Sequence, residues 1–182
     1  MKTYQLIVIH ATATREGVDI GPDWIHRVHR GPKDLPGGRV KWMGREYPSR
    51  RDLPDIDFHG RPLRAIAGNG WKQVGYYGLW DLQGKFHHLV DNNLDRYVDP
   101  WEITNGARGY NDRALHLVYV GGLDKHGRPK DTRTPTQQLA MVNELTYLKE
   151  KLPGVRILGH RDLPGVHKAC PCFDAKTEYA FL

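Results

Sequence analysis

Two short apolar runs of this chain end in histidine, and a thiol follows the second one closely. The first is Leu6-Ile7-Val8-Ile9-His10; the second is Leu158-Gly159-His160-Arg161-Asp162, with Lys168-Ala169-Cys170-Pro171 after it. Two imidazoles and a thiolate make a three-ligand zinc set that leaves the fourth tetrahedral position open to water. Zinc brings the pKa of water down to about 7, so an open set of this kind points to a zinc hydrolase. Taken singly, His10 reads as a strand-end histidine satisfied by a backbone carbonyl, and Cys170 as an inert buried thiol. Together with His160 they read as Zn2+ ligands.

The elements that carry these residues are legible. Residues 4–10 have the unbroken apolar character of a strand covered on both faces, and Val155 to Gly159 has the same character. If the two strands lie parallel, joined through helices, both histidines arrive at one sheet edge, where open α/β sheets place their ligands. A loop of ten residues from His160 has ample reach to bring Cys170 back, at about 3.3 Å per residue. Other expected elements are a helix from Pro22 or Asp23 to Arg30, a hairpin over residues 74–90 turning at Asp81-Leu82-Gln83-Gly84, and a strand from Leu115 to Val120. Thr134-Pro135-Thr136-Gln137 has the pattern of a capping box. The helix it opens should run to about Lys151 with Leu139, Val142, Leu145 and Leu148 inward. Asp174 should cap a short terminal helix.

Residues 31–70 break every periodicity with prolines and glycines, and carry many Lys and Arg residues. Trp42, Tyr47 and Phe58 favour an ordered, packed segment, a lid or groove wall, over a floppy insertion. No residue within it identifies itself as substrate-binding.

The chain of 182 residues, net charge +6 and pI about 9.3 suits one domain with a proper core. The charge favours a polyanionic partner: nucleic acid, an anionic membrane or an anionic wall. No stretch has the apolar length of a membrane span, and Met1-Lys2-Thr3-Tyr4 leads straight into a strand without a secretory leader. Synthesis in the cytoplasm, no membrane insertion and a monomer are therefore expected. Cys170 and Cys172, two apart around Pro171, are a poor span for a disulfide and suit ligation or a reducing compartment.

The remaining polar candidates have plainer readings. His26 and His29, three apart on the first helix, favour a solvated or groove-lining face over a second metal site. His87 and His88 alternate across a strand and cannot both face one ion. His126 lies in a turn, and Asp162 and Asp174 suit orienting or capping roles.

With these motifs in place, the chain resembles the type 2 N-acetylmuramoyl-L-alanine amidases, the zinc amidases of phage lysins and peptidoglycan recognition proteins. The matching pieces are Ile7-Val8-Ile9-His10-Ala11-Thr12-Ala13-Thr14, Val74-Gly75-Tyr76, Gly109-Tyr110-Asn111, Val120-Gly121-Gly122, Gly159-His160-Arg161-Asp162 and Lys168-Ala169-Cys170-Pro171. They span nearly the whole chain outside residues 31–70. The resemblance implies an α/β fold, a single domain with a central mixed β-sheet flanked by helices, over residues 1–182 with a loop-rich insertion at about 31–70. It implies zinc at His10, His160 and Cys170, a catalytic tyrosine at Tyr76 and a transition-state lysine at Lys168. A core tyrosine and a solvated lysine are the plain alternatives for the last two. Cysteine as third ligand resembles the phage-lysin branch; wall-recycling amidases of the wider family use aspartate there.

The resemblance also implies a peptidoglycan substrate, cleavage between N-acetylmuramic acid and L-alanine, and action on the bacterial cell wall as a phage or prophage endolysin, without nucleic acid as partner. Three departures stand out. Tyr77 replaces a histidine common in relatives, and the insertion is longer than the usual connection. Asn105-Gly106-Ala107 lacks the histidine that phage relatives often carry before Gly-Tyr-Asn, so a histidine-assisted proton step is not implied. The competing classes are a non-catalytic peptidoglycan-binding module and a nucleic-acid-binding protein with a structural zinc, which would need Cys172 as fourth ligand.

Overall fold

An apolar run without polar alternation needs cover on both faces, and Leu6–Ala11 receives it, being buried at every position. The computed structural model describes residues 1–57 and 60–182; Phe58, one of the aromatics of the insertion, lies outside the described residues. In chain order the elements are β1 (Leu6–Ala11), β2 (Thr14–Arg15), α1 (Pro22–Arg30), β3 (Lys33–Asp34), β4 (Val40–Trp42), β5 (Arg45–Tyr47), β6 (Gly78–Trp80), β7 (Phe86–His88), β8 (Ala114–Tyr119), β9 (Gly122–Leu123), α2 (Pro135–Lys151), β10 (Arg156–Gly159) and α3 (Ala175–Glu178). They gather into two compact units, Met1–Gly21 with Gly75–Leu182, and Pro22–Val74.

The first unit is α/β, built on a mixed five-stranded sheet in the order β10-β1-β8-β6-β7. β1 runs parallel to both β10 and β8, β6 runs parallel to β8, and β7 closes the hairpin antiparallel to β6. The expected parallel pairing of the two histidine-ending strands is what the structure has. One face of the sheet carries Ile7, Ile9, Leu115, Leu117 and Ile157 and packs under α2; the other carries Leu6, Val8 and Ala114 under Leu163. Alternation along each strand assigns the faces.

α2 starts as its sequence says. The Thr134 hydroxyl accepts from the Gln137 amide, and the Gln137 side chain accepts from the Thr134 amide. The Gln137 side-chain amide then donates to the carbonyls of Trp80 and Val120, tying the helix to two strand ends. The inward face consists of Gln137, Met141, Leu145 and Leu148, while Leu139 is 64% exposed. The expected inner position of Leu139 is therefore corrected: the buried stripe is anchored at the hydrogen-bonded Gln137 and recurs at helical spacing from there.

α3 is capped by Asp174 as expected. Arg133, its side chain 3% exposed, grips Glu178 of α3 and Asp131 with its guanidinium against the Phe173 ring. In the long loop before β8, buried Glu102 accepts from the amides of Asn93 and Asp99 and from the Tyr4 hydroxyl.

The second unit holds the expected helix α1 and adds elements within residues 31–70, where the sequence offered none. β3, β4 and β5 form an antiparallel sheet, and Val40, Trp42, Leu53 and Leu63 make a small core with Tyr47 against it. Arg50 forks onto Asp34 at 2.8 and 2.9 Å and also donates to the Ile66 carbonyl at 2.7 Å. His29 is buried against Trp71 instead of lying on a solvated face, and burial lowers its pKa to about 4. Residues 22–74 carry 11 Lys and Arg against 6 Asp and Glu, so the positive excess is concentrated here and not spread along the chain. Among the described residues no helix is long and apolar enough to cross a membrane.

Candidate metal centre

The sheet register builds the site. Val8 stands beside both Leu158 and His116, and Ile9 stands beside Gly159. Side chains two apart on a strand share a face. Val8 and His10 on β1, Ala114 and His116 on β8, and Leu158 on β10 therefore point the same way, and His160 follows β10 directly. The two histidines that end their strands meet there: the His10 and His160 rings lie 4.6 Å apart, centre to centre.

The loop after β10 supplies the thiol. His160–Asp162 forms a single 3-10 turn that Asp162 closes by accepting from the Gly159 amide at 2.7 Å. Gly159 must lack a side chain, because a Cβ there would sit 2.6 Å from Pro171 Cδ. The loop then returns: the Arg161 amide donates to the Cys170 carbonyl at 2.7 Å, and the Tyr119 hydroxyl donates to the Pro171 carbonyl at 2.7 Å. The Ala11 amide donates to Cys170 Sγ at 3.4 Å, a contact that favours the thiolate.

One ligand atom from each of His10, His160 and Cys170 lies within 4.8 Å of the others, and among the described residues this is the one such group of three. His10 Nδ1 is 3.9 Å from Cys170 Sγ. Two donors on one tetrahedral zinc stand about 3.5 Å apart, from bond lengths of 2.0–2.3 Å. The separations and the mixed nitrogen–sulfur chemistry fit that ion with a small contraction. Cys172 is not in the group, which leaves a fourth position without a cysteine ligand.

The electrostatics suit a neutral His160. Burial, then the Lys168 charge, lowers the pKa of His160. Burial pushes the Cys170 thiol up to about 11, opposed by the Ala11 amide and by Lys168; a divalent cation is what would return it to thiolate near neutrality.

Tyr76 lies against the ligands, its ring 5.1 Å from that of His10. Burial and the Cys170 sulfur raise its pKa, so its hydroxyl keeps its proton. Tyr77 packs instead in the core cluster with Trp80 and Tyr119; both tyrosines precede β6, which begins at Gly78. Lys168 is exposed on the same loop as Cys170, and its charge is felt by both His160 and Cys170.

One residue of the site was not legible beforehand. His116 is fully buried, and its Nδ1 is 3.1 Å from His10 Nε2. Burial, then His160, holds its pKa down at about 3. Its only sequence signal is a single polar residue inside Leu115-His116-Leu117-Val118, on the same face of the sheet as His10.

No family model matches the chain. The endolysin of Klebsiella phage KP32 is 31% identical over 135 residues, 72% of this chain and 88% of that one. Among solved structures, the fold is similar to the N-acetylmuramoyl-L-alanine amidase LysC from Clostridium intestinale, with a TM-score of 0.54, 18% identity, and coverage of 97% of this chain and 82% of that one. It is equally similar to Drosophila PGRP-LB, with a TM-score of 0.55, 18% identity, and coverage of 98% and 80%. The phage relative matched along most of its length, on a sheet that delivers two histidines and a cysteine to one edge, makes this chain a member of the phage-lysin and peptidoglycan-recognition-protein family of type 2 N-acetylmuramoyl-L-alanine amidases.

Proposed function

We propose that the protein hydrolyses the amide between N-acetylmuramic acid and L-alanine of bacterial peptidoglycan in a zinc-dependent reaction, as a phage or prophage endolysin. The observation that carries this reading is the approach of His10, His160 and Cys170, from two distant parts of the chain, to within 4.8 Å of one another. These three side chains would hold the ion. When bound, zinc activates water and polarises a carbonyl near neutral pH.

The remaining work falls to the chain's own groups. Water adds to the lactyl carbonyl, the C–N bond breaks, and a proton passes to the departing L-alanine nitrogen, leaving a carboxylate and a free amine. The oxyanion that forms on the way needs a cation or donor; losing one such donor costs about 2.7–4 kcal/mol in comparable sites. Lys168 supplies the charge, and the protonated Tyr76 hydroxyl supplies a hydrogen bond to the same region. His160, its pKa lowered by burial and by Lys168, keeps its lone pair for the ion.

Peptidoglycan as substrate class is supported by the phage endolysin relative and by a fold neighbour, Drosophila PGRP-LB, solved in complex with tracheal cytotoxin. The positive excess in residues 22–74 suits approach to an anionic wall. We assign the whole chain, insertion included, to one amidase domain made in the host cytoplasm and acting as a monomer. Digestion of purified peptidoglycan, with the new ends identified by mass spectrometry, tests the reading. New L-alanine amino termini without new reducing sugars support it; new reducing ends overturn it.

A further inference from the structure

We infer that His116 is a positioning residue that fixes the metal ligand His10, and that Gly106 is the cradle that admits its ring. The inference rests on the zinc-site reading above.

Three observations carry it. The first is the 3.1 Å approach of His116 Nδ1 to His10 Nε2, while the other nitrogen of His10 faces Cys170. If His10 gives its Nδ1 lone pair to the ion, its Nε2 carries the hydrogen and must donate it. His116 Nδ1 is then the acceptor, and the contact selects the one tautomer of His10 that can ligate through Nδ1. A partner on the second ring nitrogen of a ligand histidine both orients the ring and sets its proton.

The second is the space made for the ring. A Cβ placed on Gly106 would lie 2.3 Å from Cγ, 2.5 Å from Nδ1 and 2.7 Å from Cδ2 of His116. Any side chain at 106 would displace the imidazole from its contact with His10. The glycine is required by that close approach, since its backbone is not in the left-handed region.

The third is the cost of keeping a polar ring there. His116 is 0% exposed, and its Nε2 has no hydrogen-bond partner among the described residues. A strand flanked by Leu115, Leu117 and Val118 would be better packed with an apolar residue, since a buried unpaired polar group opposes folding. A side chain that weakens its own strand and touches the ligand histidine is retained for the contact.

The test measures zinc affinity by chelator competition and, separately, thermal unfolding of the metal-free protein. His116→Leu should weaken zinc about 10–100-fold, the usual loss when such a partner is removed, while the metal-free protein melts at the same temperature or higher. His116→Asn, whose side-chain oxygen can occupy the Nδ1 position, should restore most of the affinity. Gly106→Ala should weaken zinc as His116→Leu does, and it decides the matter if the leucine variant fails to fold. Wild-type affinity in His116→Leu and Gly106→Ala, with zinc lost from Cys170→Ala, overturns the role of His116 alone. A lower melting temperature in His116→Leu with no rescue by asparagine shows a structural role and also overturns it. Full zinc affinity in Cys170→Ala overturns the metal site and this inference with it.

Discussion

The Tyr119 hydroxyl, on the last residue of β8, donates a 2.7 Å hydrogen bond to the carbonyl of Pro171, the residue that follows Cys170. Both residues are buried, so the bond holds the returning loop to the sheet without competition from water. Tyr119→Phe leaves the Pro171 carbonyl unpaired, a loss of about 1–3 kcal/mol. The expected result is a lower denaturation midpoint with unchanged slope, together with faster zinc release. An unchanged midpoint would show that the loop is held by its other contacts.

In the proposed reaction Tyr76 and Lys168 act on the substrate without holding the ion. Tyr76→Phe and Lys168→Ala are expected to retain a full equivalent of zinc and to lose about 100-fold or more in turnover of wall suspensions, the usual effect of removing one donor or proton-transfer group. Cys170→Ala should lose zinc itself. Elemental analysis beside turbidity assays separates the two classes, and zinc loss from the Tyr76 variant would move that residue among the groups that hold the site together.

Zinc affinity should depend on pH with a definite sign. Below about pH 11 the metal-free Cys170 is a thiol, held protonated by burial, and zinc must displace that proton. Affinity therefore rises with pH, about tenfold per unit for one proton. His160, lowered by burial and Lys168, is already neutral at pH 7 and adds no second proton above it. A slope near one is expected between pH 7 and 9 in chelator competition. In Cys170→Asp, whose carboxylate is ionised throughout, the slope should vanish; a flat profile in the unaltered protein would argue against a thiolate ligand.

The register of α2 gives a stability contrast. Met141 is fully buried and Leu139 is 64% exposed. Met141→Ala should cost about 2–5 kcal/mol, whereas Leu139→Gln should stay within about 0.5 kcal/mol of the parent. Equal losses at both positions would contradict the observed helix face.

The strands of the sheet were legible because Leu6–Ala11 and Arg156–Gly159 are runs with a single meaning, and their terminal histidines announced the edge they share. The capping box of α2 was equally plain, yet its inner face was misjudged at Leu139. A pattern of apolar residues cannot show that a glutamine, satisfied by two strand-end carbonyls, anchors the buried stripe. Residues 33–47 fold into strands of two or three residues, too short to display a period, and their small core is visible only in three dimensions. His116 escaped for a related reason. One polar residue in an apolar strand says nothing about its partner until the parallel register sets β8 beside β1, and then it lands on the face of His10.

His10 and Cys170 are 160 residues apart in sequence, yet the ion of the proposed site would clasp the first strand of the central sheet to the loop that follows β10. The clasp can shut only after everything between has been synthesised and has taken its place, so a growing or half-folded chain holds no competent centre. Pulling the ion out removes a brace from a very long ring, and the cost falls on the whole sheet instead of one loop. On the zinc reading, hydrolytic competence and completed folding become a single event for this chain.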